Sequence, residues 1–187
     1  MKSKNILLII LTSMLVSCAA LVVVGAAGGL IVYDKRSIHM IEKDSRIFYI
    51  INSEIAKDPT FDDARIVISS FNKVVLLLGQ APVSSVKLAA EKIAKKTPNV
   101  RRVYNQISIG PKISLAQQSK DTWITSEVKS KMLAKKDLES GSIRVITENN
   151  VVYLLGIVTP DQADLAATVA SQVKGVQKVV KIFQYIR

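Results

Sequence analysis

The sequence is poor in the residues on which many enzymes and disulfide-rich proteins depend: its 187 residues include one cysteine, one histidine and one tryptophan. Cys18 alone cannot form a disulfide or a cysteine-based metal site within the chain. The only histidine, His39, has no cysteine or histidine beside it. No carboxylate pair, nucleophile–base pair or glycine-rich phosphate loop is recognisable. We therefore predict a protein without catalytic residues, bound metal or dissociable cofactor.

Negative charge is also scarce. Lysine and arginine number 26 against 15 aspartate and glutamate residues, which gives a net charge of +11 at pH 7. Such a surplus attracts anionic surfaces, and phospholipid headgroups, nucleic acid and acidic glycans are all candidates. Charge acts on each of them in the same way, so the compartment has to decide among them.

The N-terminal residues indicate that compartment. Two lysines precede an apolar run at residues 6–11, and Leu-Val-Ser at residues 15–17 stands directly before Cys18. This arrangement resembles a bacterial lipoprotein signal, in which residues 1–17 are removed and the cysteine receives a diacylglycerol and an N-acyl chain. The resemblance, with Ala19 rather than aspartate next, implies an anchor in the outer membrane that faces the periplasm.

An uncleaved transmembrane helix is the alternative, because apolar residues continue beyond Cys18 to Val32 and the whole stretch is long enough to span a bilayer. Glycines in this segment lower its helix propensity and favour a flexible tether. We therefore assign residues 18–43 to a lipidated tether.

The remaining sequence contains two copies of one unit. When the chain is shifted so that Gly79 meets Gly156, identical residues coincide in the stretch before these glycines, and a Leu-Ala-Ala triplet coincides after them. Repetition over this length indicates a tandem architecture. We assign the modules to residues 44–110 and 121–187, with a linker at residues 111–120.

Each module has the apolar pattern of an α-β-β-α-β unit, in which helical spacing alternates with short β-runs. The predicted segments of the first module are residues 45–57, 64–70, 74–80, 82–96 and 100–109. Those of the second are residues 122–136, 142–147, 151–158, 159–173 and 176–186. We predict an α+β fold with a small three-stranded mixed sheet and two helices on one face of it. Gly79 and Gly156 should end the second strands, where a side chain would clash with a helix or strain the backbone as it leaves the strand.

The modules resemble a known family. Val-x-Leu-x-Gly closes the second strand at residues 75–79 and again at residues 152–156, an alanine-rich helix follows, and Asn99-Val100 or Gly175-Val176 announces the last strand. These features resemble the BON domain, and two such units behind a lipoprotein signal resemble the dual-BON outer-membrane lipoproteins of Gram-negative bacteria. The resemblance implies binding of anionic phospholipid through the first helix of the second module. It also implies links to division-site localisation, amidase activation and barrel assembly.

The helix predicted at residues 122–136 carries apolar side chains on two sides. At about 100° per residue, Ile124, Val128 and Met132 form one stripe, which we assign to the core. An indole and a leucine lie on the opposite side among serines and lysines, which is typical of a helix at a membrane surface. The candidate lipid-binding residues are Trp123, Ser126, Lys129, Ser130, Leu133 and Lys136.

The first module offers an internal comparison. Its equivalent helix has Arg46 and Ala56 where the second module has Trp123 and Leu133. The fold therefore does not require apolar residues at these outer positions, and their presence in the second module favours a binding function.

The preferred hypothesis is a non-enzymatic lipoprotein that binds phosphatidylglycerol or cardiolipin and supports envelope integrity and division-site cell-wall remodelling. In the alternative, Trp123 and Leu133 pack against the first module or a protein partner, and the protein is a structural adaptor. Nucleic acid is not expected as a partner, because the leader directs the chain out of the cytoplasm and stacking aromatics are few.

Overall fold

A computed structural model describes residues 36–186. The predicted signal peptide, Cys18 and most of the predicted tether lie outside the described residues. The first module consists of α1 (Ile38–Lys57), β1 (Arg65–Phe71), β2 (Val74–Ala81), α2 (Ser84–Lys96), β3 (Arg102–Asn105) and β4 (Ser108–Ile109). The second consists of α3 (Leu115–Ala134), β5 (Ile143–Glu148), β6 (Val151–Val158), α4 (Pro160–Ser171) and β7 (Lys178–Tyr185). The predicted α+β class and α-β-β-α-β order are confirmed.

Both modules open on helices that are longer than predicted. The hydroxyls of Ser37 and Ser114 accept backbone N–H groups of the first turns and cap α1 and α3. The caps therefore lie inside the predicted tether and the predicted linker, and His39 stands on α1. The first buried positions of these helices are Asp44 and Asp121. Because both are polar, the apolar periodicity does not detect the extra turns.

Each sheet has its second strand in the centre. β2 pairs antiparallel with β1 and parallel with β3, and β6 pairs in the same way with β5 and β7, which confirms the mixed sheet. The prediction of one continuous strand at residues 100–109 was wrong. There the Asn105 side chain accepts the N–H of Ile107 (3.2 Å) and donates to the Lys87 carbonyl (3.0 Å), so the chain bends before β4 pairs with β2.

Alternation along the central strands separates two apolar faces. Val75 and Leu77 of β2 join the core formed with α1 and α2. Val152 and Leu154 of β6 join the corresponding core with α3 and α4. Both helices of a module therefore lie on one face of its sheet, as predicted.

The other faces of the two sheets pack against each other. This third cluster joins Leu76 and Leu78 of β2 to Tyr153 and Leu155 of β6, with Phe71 at one end of β1. The protein thus has the layer order helix, sheet, sheet, helix. Burial on both faces explains why every residue of β2 is buried.

Polar contacts between the modules accompany this sheet-to-sheet interface. The buried Glu148 carboxylate accepts hydrogen bonds from the Arg65 guanidinium (2.6 and 2.7 Å) and the Gln80 amide (2.7 Å). Arg144 donates to the Ser70 carbonyl (2.8 Å). All three apolar clusters lie within the compact unit Val32–Arg187. We therefore expect this unit to fold on its own.

Both hairpins turn through a left-handed backbone. The φ angles are 49° and 63° at Asn72 and Lys73, and 48° and 63° at Asn149 and Asn150. Two consecutive positive angles are the pattern of a type I′ turn, which matches the twist of the flanking strands. The turns are therefore two residues long, one shorter than the loops predicted between the strands.

A buried aspartate on the first helix holds each turn. Asp121 accepts the N–H groups of Asn149 (2.7 Å) and Asn150 (2.9 Å), and Gln117 donates to the same carboxylate (2.8 Å). Asp44 accepts the two N–H groups of the first turn at 2.7 and 2.8 Å. Each helix is thus fixed to its hairpin by charge-assisted hydrogen bonds.

Gly79 and Gly156 leave no room for a side chain, but not for the predicted reason. Both lie inside β2 and β6 rather than at their ends. A Cβ at Gly79 would lie 1.8 Å from the Arg65 carbonyl oxygen, and one at Gly156 would lie 2.7 Å from the Ser142 carbonyl oxygen. The obstacle is therefore the backbone leading into or forming the neighbouring strand, not a helix.

Candidate membrane interface

Helix α3 has the two sides that the sequence predicts. Ile124, Val128 and Met132 are buried in the core of the second module. On the outer side, Trp123 is 50% exposed and Leu133 is 43% exposed. Because the core of the module is already packed without them, these two side chains are available to contact an apolar partner.

The interface between the modules does not cover this surface. It is built from the facing sheets, as described above, and neither Trp123 nor Leu133 belongs to its cluster. The alternative in which Trp123 and Leu133 are buried against the first module therefore does not hold. Binding of a separate protein partner at the same helix is unaffected by this observation.

Lysines border the exposed apolar residues of α3. Lys129 is exposed, and within residues 36–186 it has no ion-pair partner. Lys131 lies 4.0 Å from Glu127, so part of its charge is compensated. Lys136 is exposed, but α3 ends at Ala134, so this residue stands in the following turn and not on the helix as predicted.

The two serines on the outer side complete the surface. Ser126 and Ser130 are exposed, and the Ser126 hydroxyl donates to the Thr122 carbonyl (3.0 Å). Because their side chains are short, they leave the indole of Trp123 and the isobutyl group of Leu133 as the large groups there. In helices that lie at a membrane surface, such groups insert at the headgroup level while lysines meet phosphate.

The outer side of α1 differs less from that of α3 than the sequence comparison indicates. Arg46 is exposed and lies 3.5 Å from Glu42, as a solvated position should. However, α1 also exposes Tyr49, which is 69% accessible, and Ile50. Sequence reasoning missed these residues because it compared only the positions equivalent to Trp123 and Leu133. Tyr49 and Ile50 lie away from the buried stripe of Ile47 and Ile51, and this spacing could have predicted their exposure.

Within residues 36–186 there is no group of three His, Cys, Asp or Glu side chains close enough to hold a metal ion. No helix in the same range is long and apolar enough to cross a bilayer. Cys18, the predicted lipidation site, lies outside the described residues.

The sequence profile of the BON domain matches residues 43–111 and residues 120–187, one match for each module. The chain belongs to the BON-domain family. The α-β-β-α-β order, the repeated Val-x-Leu-x-Gly strand and the tandem arrangement are all accounted for by two BON domains.

Relatives of this two-BON-domain chain come from several bacteria. It is 40% identical over 177 residues to "Outer membrane lipoprotein DolP" of Haemophilus influenzae, covering 94% of this chain and 92% of the relative. It is 44% identical over 126 residues to "21 kDa hemolysin" of Actinobacillus pleuropneumoniae, covering 67% and 65%. It is 30% identical over 139 residues to "Osmotically-inducible protein Y" of Escherichia coli, covering 73% and 69%. None of these names denotes an enzyme family.

Proposed function

We propose that this BON-domain protein is an outer-membrane lipoprotein that faces the periplasm and docks on anionic phospholipid through the outer side of α3. The observation that carries the proposal is the half exposure of Trp123 and Leu133 on a helix whose core side is complete. The name of the DolP relative and the lipoprotein-like leader support the location. Phosphatidylglycerol and cardiolipin are the proposed lipids.

The expected strength of docking follows from the surface. A basic residue near an anionic membrane contributes about 1 kcal/mol, and burying a large apolar side chain contributes about 1.5–3 kcal/mol when complete. Trp123, Leu133 and Lys129 together therefore support weak, reversible docking. Acyl chains on Cys18 would hold the domains near the bilayer, where a high effective concentration makes weak docking sufficient.

The cellular role we propose is support of envelope integrity and of cell-wall remodelling at the division site. This role is proposed from the family resemblance. On the same ground we propose amidase-regulating and barrel-assembly proteins as partners. A protein adaptor that uses the same face of α3 is the second candidate, because an exposed tryptophan and leucine equally suit a protein surface.

Vesicle flotation tests the docking face directly. The unit Val32–Arg187, which carries no acyl chain, should float with phosphatidylglycerol or cardiolipin vesicles and not with phosphatidylcholine vesicles. Trp123→Glu and Leu133→Glu should each weaken the association about tenfold or more, because each removes an inserted group and adds repulsion worth about 1.4 kcal/mol or more in total.

Leu88→Glu is the matched control. Leu88 is an exposed leucine on α2, and its substitution makes the same change in charge and polarity. Its flotation should equal that of the unsubstituted unit. Equal losses in Leu88→Glu and Leu133→Glu would mean that general charge governs binding. Absence of binding to every vesicle would favour the protein adaptor.

The anchor gives a separate prediction. Cys18→Ser in the full chain should move the protein from the membrane fraction to the soluble fraction if processing and acylation depend on this thiol. Metabolic labelling with a fatty acid should be lost in parallel. If the unsubstituted chain takes up no fatty-acid label and still stays in the membrane fraction after a carbonate wash, the uncleaved transmembrane alternative is correct.

A further inference from the structure

A groove runs along the flank of α3, between this helix, the start of β5 and the first module. Its volume is about 490 Å³, within the roughly 300–1,000 Å³ that small-molecule sites have. Leu133 is the exposed apolar residue of the lining, and the edges of the buried Phe71 of the first module and Ile143 of the second complete it. The groove thus exists only because the two modules are packed together.

Three cations line the same groove, and no acidic residue is among its lining residues in the described part of the chain. The Arg36 guanidinium lies over the Phe71 ring at 4.3 Å and pairs with Asp44 at 2.8 Å, so it serves mainly as wall. Arg144 is held by the Ser70 carbonyl (2.8 Å) and lies 5.5 Å from the centre of the Phe71 ring. Lys129 reaches the groove from α3.

The groove continues the proposed docking face. Lys129, Ser130 and Leu133 line the groove and also belong to the outer side of α3. A molecule lying at the membrane surface against α3 therefore has an adjoining apolar slot with fixed positive charge. That combination is complementary to a lipid with one anionic headgroup and an acyl chain.

We propose that this groove binds a single anionic phospholipid molecule, with one acyl chain against Phe71, Leu133 and Ile143 and the phosphate held by Lys129 and Arg144. This inference rests on the proposed function, and it adds a site for an individual lipid to a face that docks on a bilayer. Because Phe71 and Arg144 come from different modules, the bound lipid also bridges the two BON domains.

The test uses a lipid that is not in a membrane. Dihexanoyl-phosphatidylglycerol below its critical micelle concentration should bind the unit Val32–Arg187 saturably with one molecule per protein, measured by calorimetry. Dihexanoyl-phosphatidylcholine at the same concentration should bind about tenfold more weakly or worse, since it lacks net negative charge. Nuclear Overhauser contacts between the Phe71 ring and the acyl protons should appear on binding, and this readout needs no substitution.

Two variants separate the groove from the docking face. Arg144→Gln should weaken binding of the monomeric lipid about tenfold, the loss of one charge-assisted contact, while vesicle flotation stays within a few-fold of the unsubstituted unit. Trp123→Glu should weaken vesicle flotation and leave binding of the monomeric lipid within a few-fold of that of the unsubstituted unit. Urea unfolding checks that Arg144→Gln, which also loses its bond to Ser70, remains folded.

The outcomes distinguish the two proposals. Vesicle binding without saturable binding of the monomeric lipid would contradict the lipid site in the groove and leave the proposed docking face unaffected. Saturable binding without contacts to Phe71 would also contradict the groove site. If the unsubstituted unit does not bind anionic vesicles, the proposed function is wrong, whether or not the monomeric lipid binds.

Discussion

Gly79→Ala should unfold the first module or nearly so. At this position φ is 108° and an added Cβ would lie 1.8 Å from the Arg65 carbonyl oxygen. A non-glycine residue at such an angle costs about 1–3 kcal/mol from strain alone. The clash adds to this cost, because backbone atoms of β1 would have to move away from β2, where Gly79 pairs with Ile66. We expect the free energy of unfolding to fall by more than about 3 kcal/mol.

Two other glycines provide matched controls for this prediction. Gly110 has φ of 149° but nothing within 4 Å of an added Cβ, so Gly110→Ala tests backbone angle without a clash. Gly156 has a less severe approach, 2.7 Å from the Ser142 oxygen, with the Phe183 ring at 3.3 Å. Urea unfolding followed by circular dichroism should rank the losses as Gly79→Ala, Gly156→Ala, Gly110→Ala. Equal losses at Gly79 and Gly110 would show that the carbonyl of Arg65 is not the obstacle.

Asp121→Ala should destabilise the second module strongly. The carboxylate accepts the N–H groups of Asn149 and Asn150, the two left-handed residues of the hairpin turn, and it is itself buried. A buried donor left without an acceptor costs about 1–3 kcal/mol. The N–H of Asn150 is buried, whereas Asn149 is exposed and water can replace its acceptor, so we expect a loss of about 2 kcal/mol in the free energy of unfolding. Asp121→Asn keeps one acceptor oxygen and should lose less.

The position of Asp121 also connects this turn to the proposed docking face. It lies on α3 two residues before Trp123, so its bonds to the turn hold this helix against the sheet. Amide hydrogen exchange at Asn149 and Asn150 should accelerate in Asp121→Ala. Asp63→Ala, which removes an exposed acid, serves as the control and should leave both amides unchanged. If Asp121→Ala unfolds at the same urea concentration as the unsubstituted unit, the aspartate does not hold the turn.

Local pattern was enough to predict the architecture of each module. The stripe of Ile124, Val128 and Met132 was predicted as the core side of its helix, and all three are buried. The prediction was possible because helix and strand periodicities depend on residues close together in the chain, and the same pattern occurs in both modules. The helix starts were missed because the first turns add no buried apolar residue, and the first buried positions are the polar Asp44 and Asp121.

The sheet-to-sheet interface left a weaker trace in the sequence. The unbroken apolar run at residues 74–78 departs from the alternation of a half-buried strand and indicates burial on both faces. It does not indicate what covers the second face. Glu148 illustrates the limit: in the sequence it is an acid in a hairpin loop, whereas in the structure it binds Arg65 and Gln80 across the modules.

By itself the sequence determined the two-module α+β organisation, the buried side of α3 and the candidate docking residues. All of these depend on spacing along a few turns of chain. Tertiary structure alone decided that Trp123 and Leu133 stay half exposed while the sheets cover each other. It also decided that Phe71, Leu133 and Arg144 line one groove. Contacts between residues far apart in the chain depend on how complete modules pack, and that packing has no period in the sequence.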